Sequence, residues 1–303
     1  MTGVLVVVGV PTALGGHLGG MEKAPFRLRE LGIIDALRAR PGLRDARIVD
    51  AGDVPIEPGF VEDADPRAKN RARIATFLPV ERDLVAAALR REGPRARPLI
   101  IGGDCTAHAG AMAGLRAATG QRLAIAWFDA HGDYNTPDTT PSGNVWGMPF
   151  AMICGVGDPD LVDACDGPTA DPHHAALVGG QVLDETESRM LATTGVAQFG
   201  SGMVATRAGI AALAAWAGAI AREVDAIYVA VDLDVLDARG GWAVQMPEPD
   251  GISLETALTA IRTIADAAPI AGFGATAVNL ERGGDAERTV DAVAALAEAA
   301  LRP

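Results

Sequence analysis

The stretch WFDAHGDYNTP, residues 127–137, decides how this chain folds. It overlaps the end of an apolar run at 123–128 and then places acidic and imidazole side chains at every second position. The stretch VAVDLDVLD, residues 229–237, repeats this pattern later in the chain. Residues two apart in an extended chain point to the same side, so each stretch offers a set of ligands at the end of a strand. These ligands are Asp129, His131 and Asp133 in the first stretch, and Asp232 and Asp234 in the second.

Two such sets predict a two-metal hydrolytic site. Four carboxylates and one imidazole suit hard or borderline divalent ions, manganese above zinc. The alternative is that these aspartates cap helices, a role that Asp often plays. Because both segments follow a buried-strand pattern, the metal site is the favoured interpretation.

Apolar runs alternate with helical patterns along the whole chain. This alternation predicts an α/β fold with three αβα layers around a mostly parallel central sheet. No linker interrupts it, so we expect a single domain over residues 1–303, and we interpret the acidic, Pro-containing segment 52–65 as a surface loop. Predicted strands are 4–8, 98–101, 123–128, 175–178, 226–231 and 270–273. Predicted helices are 25–37, 75–91, 106–118, 185–194, 207–222, 254–267 and 286–301.

Composition sets broad limits on function. A hydrophobic fraction of 49% in 303 residues is enough for a large core. A formal charge of −13 argues against nucleic acid and against anionic membranes as partners. The apolar start MTGVLVVVGVP is short for a signal peptide and has no basic leader, so we expect a first strand and a cytoplasmic protein. Three cysteines form no disulfide framework and are expected to be free thiols.

A third strand end carries GGDC, residues 102–105. In an open parallel sheet, ligands bind beyond the carboxyl ends of the strands, where both aspartate segments also lie. The two glycines allow a tight turn, and Asp104 is able to cap the following helix. Its position makes Cys105 a candidate sixth ligand. His108 lies one helical turn further on, where it would either reach a metal or be structural.

Together, the motifs resemble those of the ureohydrolase family of arginases and agmatinases. That family shows GGDHS, DAHxD, NTP, SGNxHGMP and DxDxxDP. Here the same order gives GGDCT at 102–106, DAHGD at 129–133, NTP at 135–137, SGNVWGMP at 142–149 and DLDVLDA at 232–238. The resemblance implies an arginase-like fold, a homo-oligomer, and a binuclear manganese (Mn²⁺) site whose bridging hydroxide attacks a guanidinium carbon.

Site roles follow from the resemblance, motif by motif. Asp129 and Asp232 would bridge the two ions. His131 and Asp133 are the candidate catalytic residues, Asp133 because it would accept a hydrogen bond from the hydroxide. The implied metal ligands are Cys105, Asp129, His131, Asp133, Asp232 and Asp234.

The substrate side of the family pattern is also represented. The resemblance assigns Asn135, Ser142 and Asn144 to an α-carboxylate. It assigns Asp184 and Glu187, in VGGQVLDETE at 178–187, to an α-ammonium. Agmatine lacks the carboxylate, so both halves together favour a small amino-acid substrate. The alternative is that these are polar loop residues and helix caps.

Three departures from the family pattern bear on activity. Cys105 stands where the family has His, which predicts that one of the two metal positions is weak. Trp146 replaces a His that is thought to shuttle protons, and indole does not titrate. By our alignment, Asn279 in TAVNLERGGD takes the place of a late glutamate that pairs with the guanidinium, and an amide supplies no counter-charge.

Two classes of function remain open at this point. One is a metal-dependent hydrolase of a guanidino or amidino amino acid, including N-hydroxyarginine, which would give ornithine and hydroxyurea, and formimino substrates. N-hydroxyarginine hydrolases of the family are similar in lacking the shuttle His and in having Cys at the first ligand. The other is a degenerate homologue that acts as a binding or regulatory protein. Five intact ligands favour the hydrolase.

Overall fold

The strands form one sheet. The computed structural model describes residues 3–55 and 65–302. Its strands are β1 (Val4–Val10), β2 (Arg47–Asp53), β3 (Ala96–Gly102), β4 (Leu123–Asp129), β5 (Ala170–Gly179), β6 (Ala197–Gly200), β7 (Ala226–Asp232) and β8 (Ile270–Thr276). They are ordered β2-β1-β3-β8-β7-β4-β5-β6, and every neighbouring pair is parallel.

Helices cover both faces of this sheet. They are α1 (Ala24–Glu30), α2 (Ile33–Ala39), α3 (Arg71–Glu92), α4 (Ala107–Thr119), α5 (Pro149–Ile153), α6 (Pro159–Ala164), α7 (Glu185–Thr194), α8 (Ser201–Val204), α9 (Arg207–Ile220), α10 (Leu254–Ala267) and α11 (Ala286–Leu301). Within the described ranges, none of them is long and apolar enough to cross a membrane.

Alternate residues of the strands supply two separate cores. Along β1, Leu5 and Val7 pack with α1, α2, α9, α10 and α11, whereas Val6 and Val8 pack with α3, α4, α5, α6 and α7. Successive strand residues point to opposite faces, so a strand buried on both faces reads as a continuous apolar run. The predicted three-layer αβα architecture is confirmed, and every described strand pairing is parallel.

The two edge strands and one break between helices were not predicted from the sequence, and each has a physical cause. Strand β2 lies at one edge of the sheet and is only half-buried, and β6 at the other edge has four residues, so neither gives an apolar run. The helix predicted over 25–37 is two helices, because Gly32 adopts a left-handed φ of 84° between them. Of the predicted loop 52–65, Gly52 and Asp53 belong to β2, and 56–64 lie outside the described residues.

Four adjacent strands, β3, β8, β7 and β4, bring the functional motifs to one edge of the sheet. The two aspartate segments follow β4 and β7, and GGDC begins at the end of β3. Gly103 makes this turn possible, because a Cβ there would lie 1.8 Å from the Thr12 carbonyl oxygen. The chain thus carries Cys105 to the same edge as the aspartates.

Candidate metal centre and substrate cavity

Five of the six predicted ligands form two overlapping groups, and Asp133 belongs to neither. In the first, ligand atoms of Cys105, Asp129 and Asp232 all lie within 4.8 Å of one another. In the second, the same holds for Asp129, His131 and Asp234. Asp129 belongs to both groups, which is the arrangement that a carboxylate shared between two ions requires. Each group thus gathers a set of three donors.

Backbone hydrogen bonds aim the carboxylates. The Asp234 N–H donates to Asp232 Oδ1 at 2.8 Å, and the His131 N–H donates to Asp129 Oδ1 at 2.7 Å. The Ala130 N–H donates to Asp234 Oδ1 at 3.1 Å. These are local turns of the kind that the capping alternative predicted, and Asp232 indeed caps a short 3₁₀ turn. Capping engages one oxygen of Asp232 while Oδ2 lies 2.8 Å from the Cys105 sulfur, so capping and metal binding are compatible.

His131 is oriented from both ring nitrogens. Its Nδ1 lies 3.2 Å from Asp234 Oδ2 and 3.4 Å from Asp129 Oδ1, so this atom faces the ligand group. Its Nε2 lies 3.5 Å from Glu248 Oε1. A carboxylate on the far nitrogen of a metal-binding histidine is a common second partner. Glu248 was not predicted as a site residue, because it lies in a loop without a ligand pattern.

The surroundings of Asp133 fit a bound cation. It is buried, it has a left-handed φ of 47°, and its carbonyl oxygen accepts hydrogen bonds from the N–H groups of Phe150 and Ala151 at the start of α5. Its Oδ2 is buried without a hydrogen-bond partner among the described residues. A buried carboxylate oxygen needs a donor or a cation. The donor set therefore fits a divalent ion.

Electrostatics support the same conclusion. Burial and the neighbouring Asp234 charge raise the pKa of Asp129 to about 6. Burial and the surrounding carboxylates also raise the pKa of Asp133, Asp232 and Cys105 well above their usual ranges. Burial opposes a charge on His131, but hydrogen bonds and charges from Asp129 and Asp234 raise its pKa overall. A bound cation would relieve this repulsion, which is why carboxylate clusters of this kind hold metal ions.

A cavity of about 300 Å³ adjoins the ligands. This is the lower end of the range for small-molecule sites and suits a ligand the size of an amino acid. Ligands Cys105, His131, Asp133, Asp232 and Asp234 contribute to its wall. The predicted substrate residues that line it are Asn135, Ser142, Asn144, Trp146, Asp184 and Glu187.

Asp184 and Glu187 form one acidic corner of the cavity. They are also the capping box that begins α7, as the alternative interpretation predicted. Asn135 Nδ2 donates to Asp184 Oδ2 at 3.1 Å and to Glu187 Oε1 at 3.2 Å. Burial raises the pKa of Glu187 to about 7. Asn135 therefore joins this corner, with both amide protons directed at carboxylates.

Asn144 and His17 form another part of the cavity wall. Asn144 Nδ2 lies 2.9 Å from His17 Nδ1, and Asn144 Oδ1 is buried without a partner within the described ranges. His17, which lies in the glycine-rich loop near the N-terminus, also lines the cavity. Ser142 is exposed at the rim.

Trp146 forms a fixed apolar wall. Its ring covers Gly16, where a Cβ would lie 1.9 Å from Trp146 Cζ3, and the backbone N–H of Trp146 donates to the Gly15 carbonyl at 2.8 Å. It packs against a small apolar cluster of Ala13, Met21 and Ala277. The glycine pair thus makes room for the indole.

Asn279 requires a correction. It is buried, it is not among the residues that line the cavity, and its Nδ2 donates to Gln245 Oε1 at 2.6 Å and to the Gly19 carbonyl at 3.2 Å. The wall at the end of β8 is instead made by Ala277, two residues earlier, with Gln245 and Met246. Sequence patterns missed these residues because uncharged side chains carry no motif.

Comparison with known proteins agrees with this geometry. Residues 4–302 match the sequence profile described as the Arginase family. Arginase from Bacillus caldovelox is 32% identical over 264 residues, which cover 86% of each chain. A native structure of B. caldovelox arginase superposes with a TM-score of 0.87 at 29% identity, covering 100% of this chain and 99% of that one. Formimidoylglutamase from Bacillus subtilis shares the fold, with a TM-score of 0.77 at 21% identity, covering 99% of this chain and 86% of that one.

The fold and the converging acidic site define a hydrolase of linear amidines, as the sequence predicted. The chain belongs to the arginase family.

Proposed function

We propose that this protein hydrolyses the amidine group of an α-amino acid whose side chain ends in a guanidino or amidino group. The observation that carries the proposal is the position of the cavity. One part of its wall holds members of both metal-ligand groups, and another part holds the acidic corner of Asp184 and Glu187. A substrate with an amidine at one end and an α-ammonium at the other would match both.

We propose that the ligands hold two divalent ions, with manganese preferred because oxygen ligands predominate. When bound, such ions let water act as a nucleophile at neutral pH and stabilise negative charge. The unpartnered Asp133 Oδ2 would accept a hydrogen bond from the attacking water and orient it. Asp184 and Glu187 would bind the α-ammonium. The Ser142 hydroxyl and the second Nδ2 proton of Asn144 would donate to the α-carboxylate, directly or through water, with His17 beside them.

The wall of Trp146, Met21 and Ala277 favours a less basic substrate than arginine. These side chains exclude water and supply no counter-charge and no titrating group. We therefore propose an N-hydroxyguanidino or formimino amino acid as the preferred substrate. By likeness to the family, we also propose a cytoplasmic homo-oligomer.

The decisive experiment is metal analysis of the purified protein, followed by product assays. Arginine, N-hydroxyarginine and formiminoglutamate would be offered, and urea, hydroxyurea and formamide measured. We expect turnover of at least one substrate, with complete loss after chelation and recovery with manganese. Asp232→Asn, which removes a ligand charge while preserving size, is the matched inactive control. Bound metal without turnover of any of the three would instead indicate a degenerate binding protein.

Metal occupancy should be unequal. His131 completes one group with carboxylates, whereas the other depends on Cys105, whose thiol must lose its proton against burial and three carboxylates. We expect the Cys105 position to be the emptier one by anomalous scattering. Cys105→His should raise manganese affinity there by about tenfold, roughly 1.4 kcal/mol. Two equally full manganese ions in the wild type would contradict this expectation, and an unchanged affinity in Cys105→His would mean that Cys105 is not a ligand.

A further inference from the structure

A line of buried polar side chains runs away from the Cys105 sulfur into the core. Thr276 Oγ1, at the end of β8, lies 3.6 Å from Cys105 Sγ. His108 Nε2, on α4, lies 3.1 Å from the same Thr276 oxygen, and His108 Nδ1 lies 3.2 Å from the hydroxyl of Tyr228 on β7. Thr276, His108 and Tyr228 are all fully buried. Neither His108 nor Tyr228 lines the cavity, so neither has a part in the proposed substrate contacts.

The surrounding backbone is shaped for this line. A Cβ at Gly274 would lie 2.4 Å from the Tyr228 hydroxyl oxygen and 2.7 Å from His108 Cε1, so only glycine leaves the space. A Cβ at Gly102 would lie 2.7 Å from Thr276 Cγ2. The Trp127 ring packs edge-on against His108, with centroids 5.0 Å apart and an interplanar angle of 76°. The imidazole is therefore held in one orientation.

Donor and acceptor roles along the line follow from counting protons. Burial lowers the pKa of His108 to about 3, so the ring is neutral and has one donor and one acceptor. If the Tyr228 hydroxyl donates to Nδ1, the Nε2–H donates to Thr276 Oγ1. The Thr276 hydroxyl proton is then left to point at Cys105 Sγ, or at the Val231 carbonyl 3.5 Å away. The reverse order would leave the buried Tyr228 proton without this acceptor, which is costly.

The Cys105 sulfur is a group that the Thr276 hydroxyl could donate to. The thiol now donates to Asp232 Oδ2 at 2.8 Å. A sulfur that binds a metal is a thiolate, which has no proton to donate and needs donors of its own. The N–H groups of Ala130 and Asp234 already donate to carboxylates, whereas the Thr276 hydroxyl lies within reach of the sulfur as a donor.

We propose that Tyr228, His108 and Thr276 are positioning residues that present the Thr276 hydroxyl to the Cys105 sulfur as a hydrogen-bond donor and so allow sulfur to replace imidazole as a metal ligand. This inference rests on the proposed metal-dependent function. It adds that these three residues raise the metal affinity of the Cys105 position and do not affect the His131 position. Removal of a residue that hydrogen-bonds to a metal ligand typically lowers metal affinity by about 10- to 100-fold.

Cobalt is the probe, because a thiolate bound to Co²⁺ gives a near-ultraviolet charge-transfer band. The full-length protein would be titrated with Co²⁺ by calorimetry and by absorbance, as wild type, Thr276→Val and Thr276→Ser. Thr276→Val keeps the shape but removes the hydroxyl. We expect it to weaken the Cys105 position by about 10- to 100-fold, to shift the band to longer wavelength, and to leave the His131 position unchanged. Thr276→Ser should restore both properties.

Two further variants complete the design. Tyr228→Phe removes the donor that sets the His108 proton and should shift the band in the same direction as Thr276→Val. Thr169→Val is the matched control, because Thr169 is also buried and its hydroxyl has no hydrogen-bond partner among the described residues. It should leave both metal positions unchanged.

The outcomes separate the inference from the proposed function. A wild-type band and wild-type affinities in Thr276→Val would overturn the inference while metal binding by the wild type still supports the function. Cobalt bound without a thiolate band in the wild type would also overturn it, because Cys105 would then not be a ligand. A wild type that binds no divalent ion at all would overturn the proposed function itself.

Discussion

Agmatine is expected to be hydrolysed on the order of 10⁴-fold less efficiently than its α-amino acid counterpart, measured as kcat/KM. Agmatine has no α-carboxylate, so the corner formed by Asn144, His17 and Ser142 would be left with unpaired polar groups. A site built to bind a polar group rejects a ligand that lacks it, because its own buried groups lose their partners. Asn144 is 4% exposed, which makes this loss costly.

The acidic corner supplies a matched pair of variants for the same test. Asp184 both lines the cavity and caps α7. Asp184→Asn keeps a good helix cap and removes the charge, whereas Asp184→Ala removes both. We expect Asp184→Asn to raise KM for the amino acid with little change in the melting temperature. Asp184→Ala should also lower the free energy of unfolding, by about 1 kcal/mol. Equal kcat/KM for agmatine and the amino acid would refute the assignment of these corners.

The six inner strands and the candidate ligand motifs were predictable because their physics is local. A strand buried on both faces must be apolar along its length, and acidic residues just beyond it stand out against that background. This is why spacing alone made Asp129 and Asp232 candidate ligands. Residues whose role depends on which strands become neighbours were not predictable in this way. Glu248 approaches His131 across the fold, and nothing in its own segment marks it.

Asn279 is a second case in which the sequence alone did not show which side chain lines the cavity. An amide at the end of a strand was a reasonable candidate for a substrate contact, but a shift of two residues along the chain decides which side chain meets the cavity. Ala277 lines it, whereas Asn279 is bound by Gln245 and Gly19. An alanine carries no sequence signal, so its place in the cavity wall became visible only in three dimensions. We still expect no counter-charge for a guanidinium at this wall, because the residue that lines it is Ala277.

Arginine itself is expected to be a poor substrate. Its guanidinium is always charged and would enter a cavity whose wall at the end of β8 is Ala277, Met246 and Gln245, with Trp146 and Met21 beside them. A buried charge without its partner costs roughly 3 to 5 kcal/mol. Loss of a proton shuttle at the Trp146 position would remove a further factor of about 10² to 10⁴ in rate. An N-hydroxyguanidine is less basic and enters at lower cost, so its kcat/KM should exceed that of arginine by at least about 10²-fold.

Ala277 allows this argument to be tested by a gain of activity. Ala277→Glu would place a carboxylate at the cavity wall, and we expect it to raise kcat/KM for arginine while lowering the preference for N-hydroxyarginine. Ala277→Gln is the control, because it has nearly the same size and no charge; it should not improve arginine hydrolysis. If the wild type hydrolyses arginine as well as N-hydroxyarginine, the substrate argument fails although family membership stands. If Glu and Gln have the same effect, the volume of the side chain at position 277, and not its charge, sets the preference.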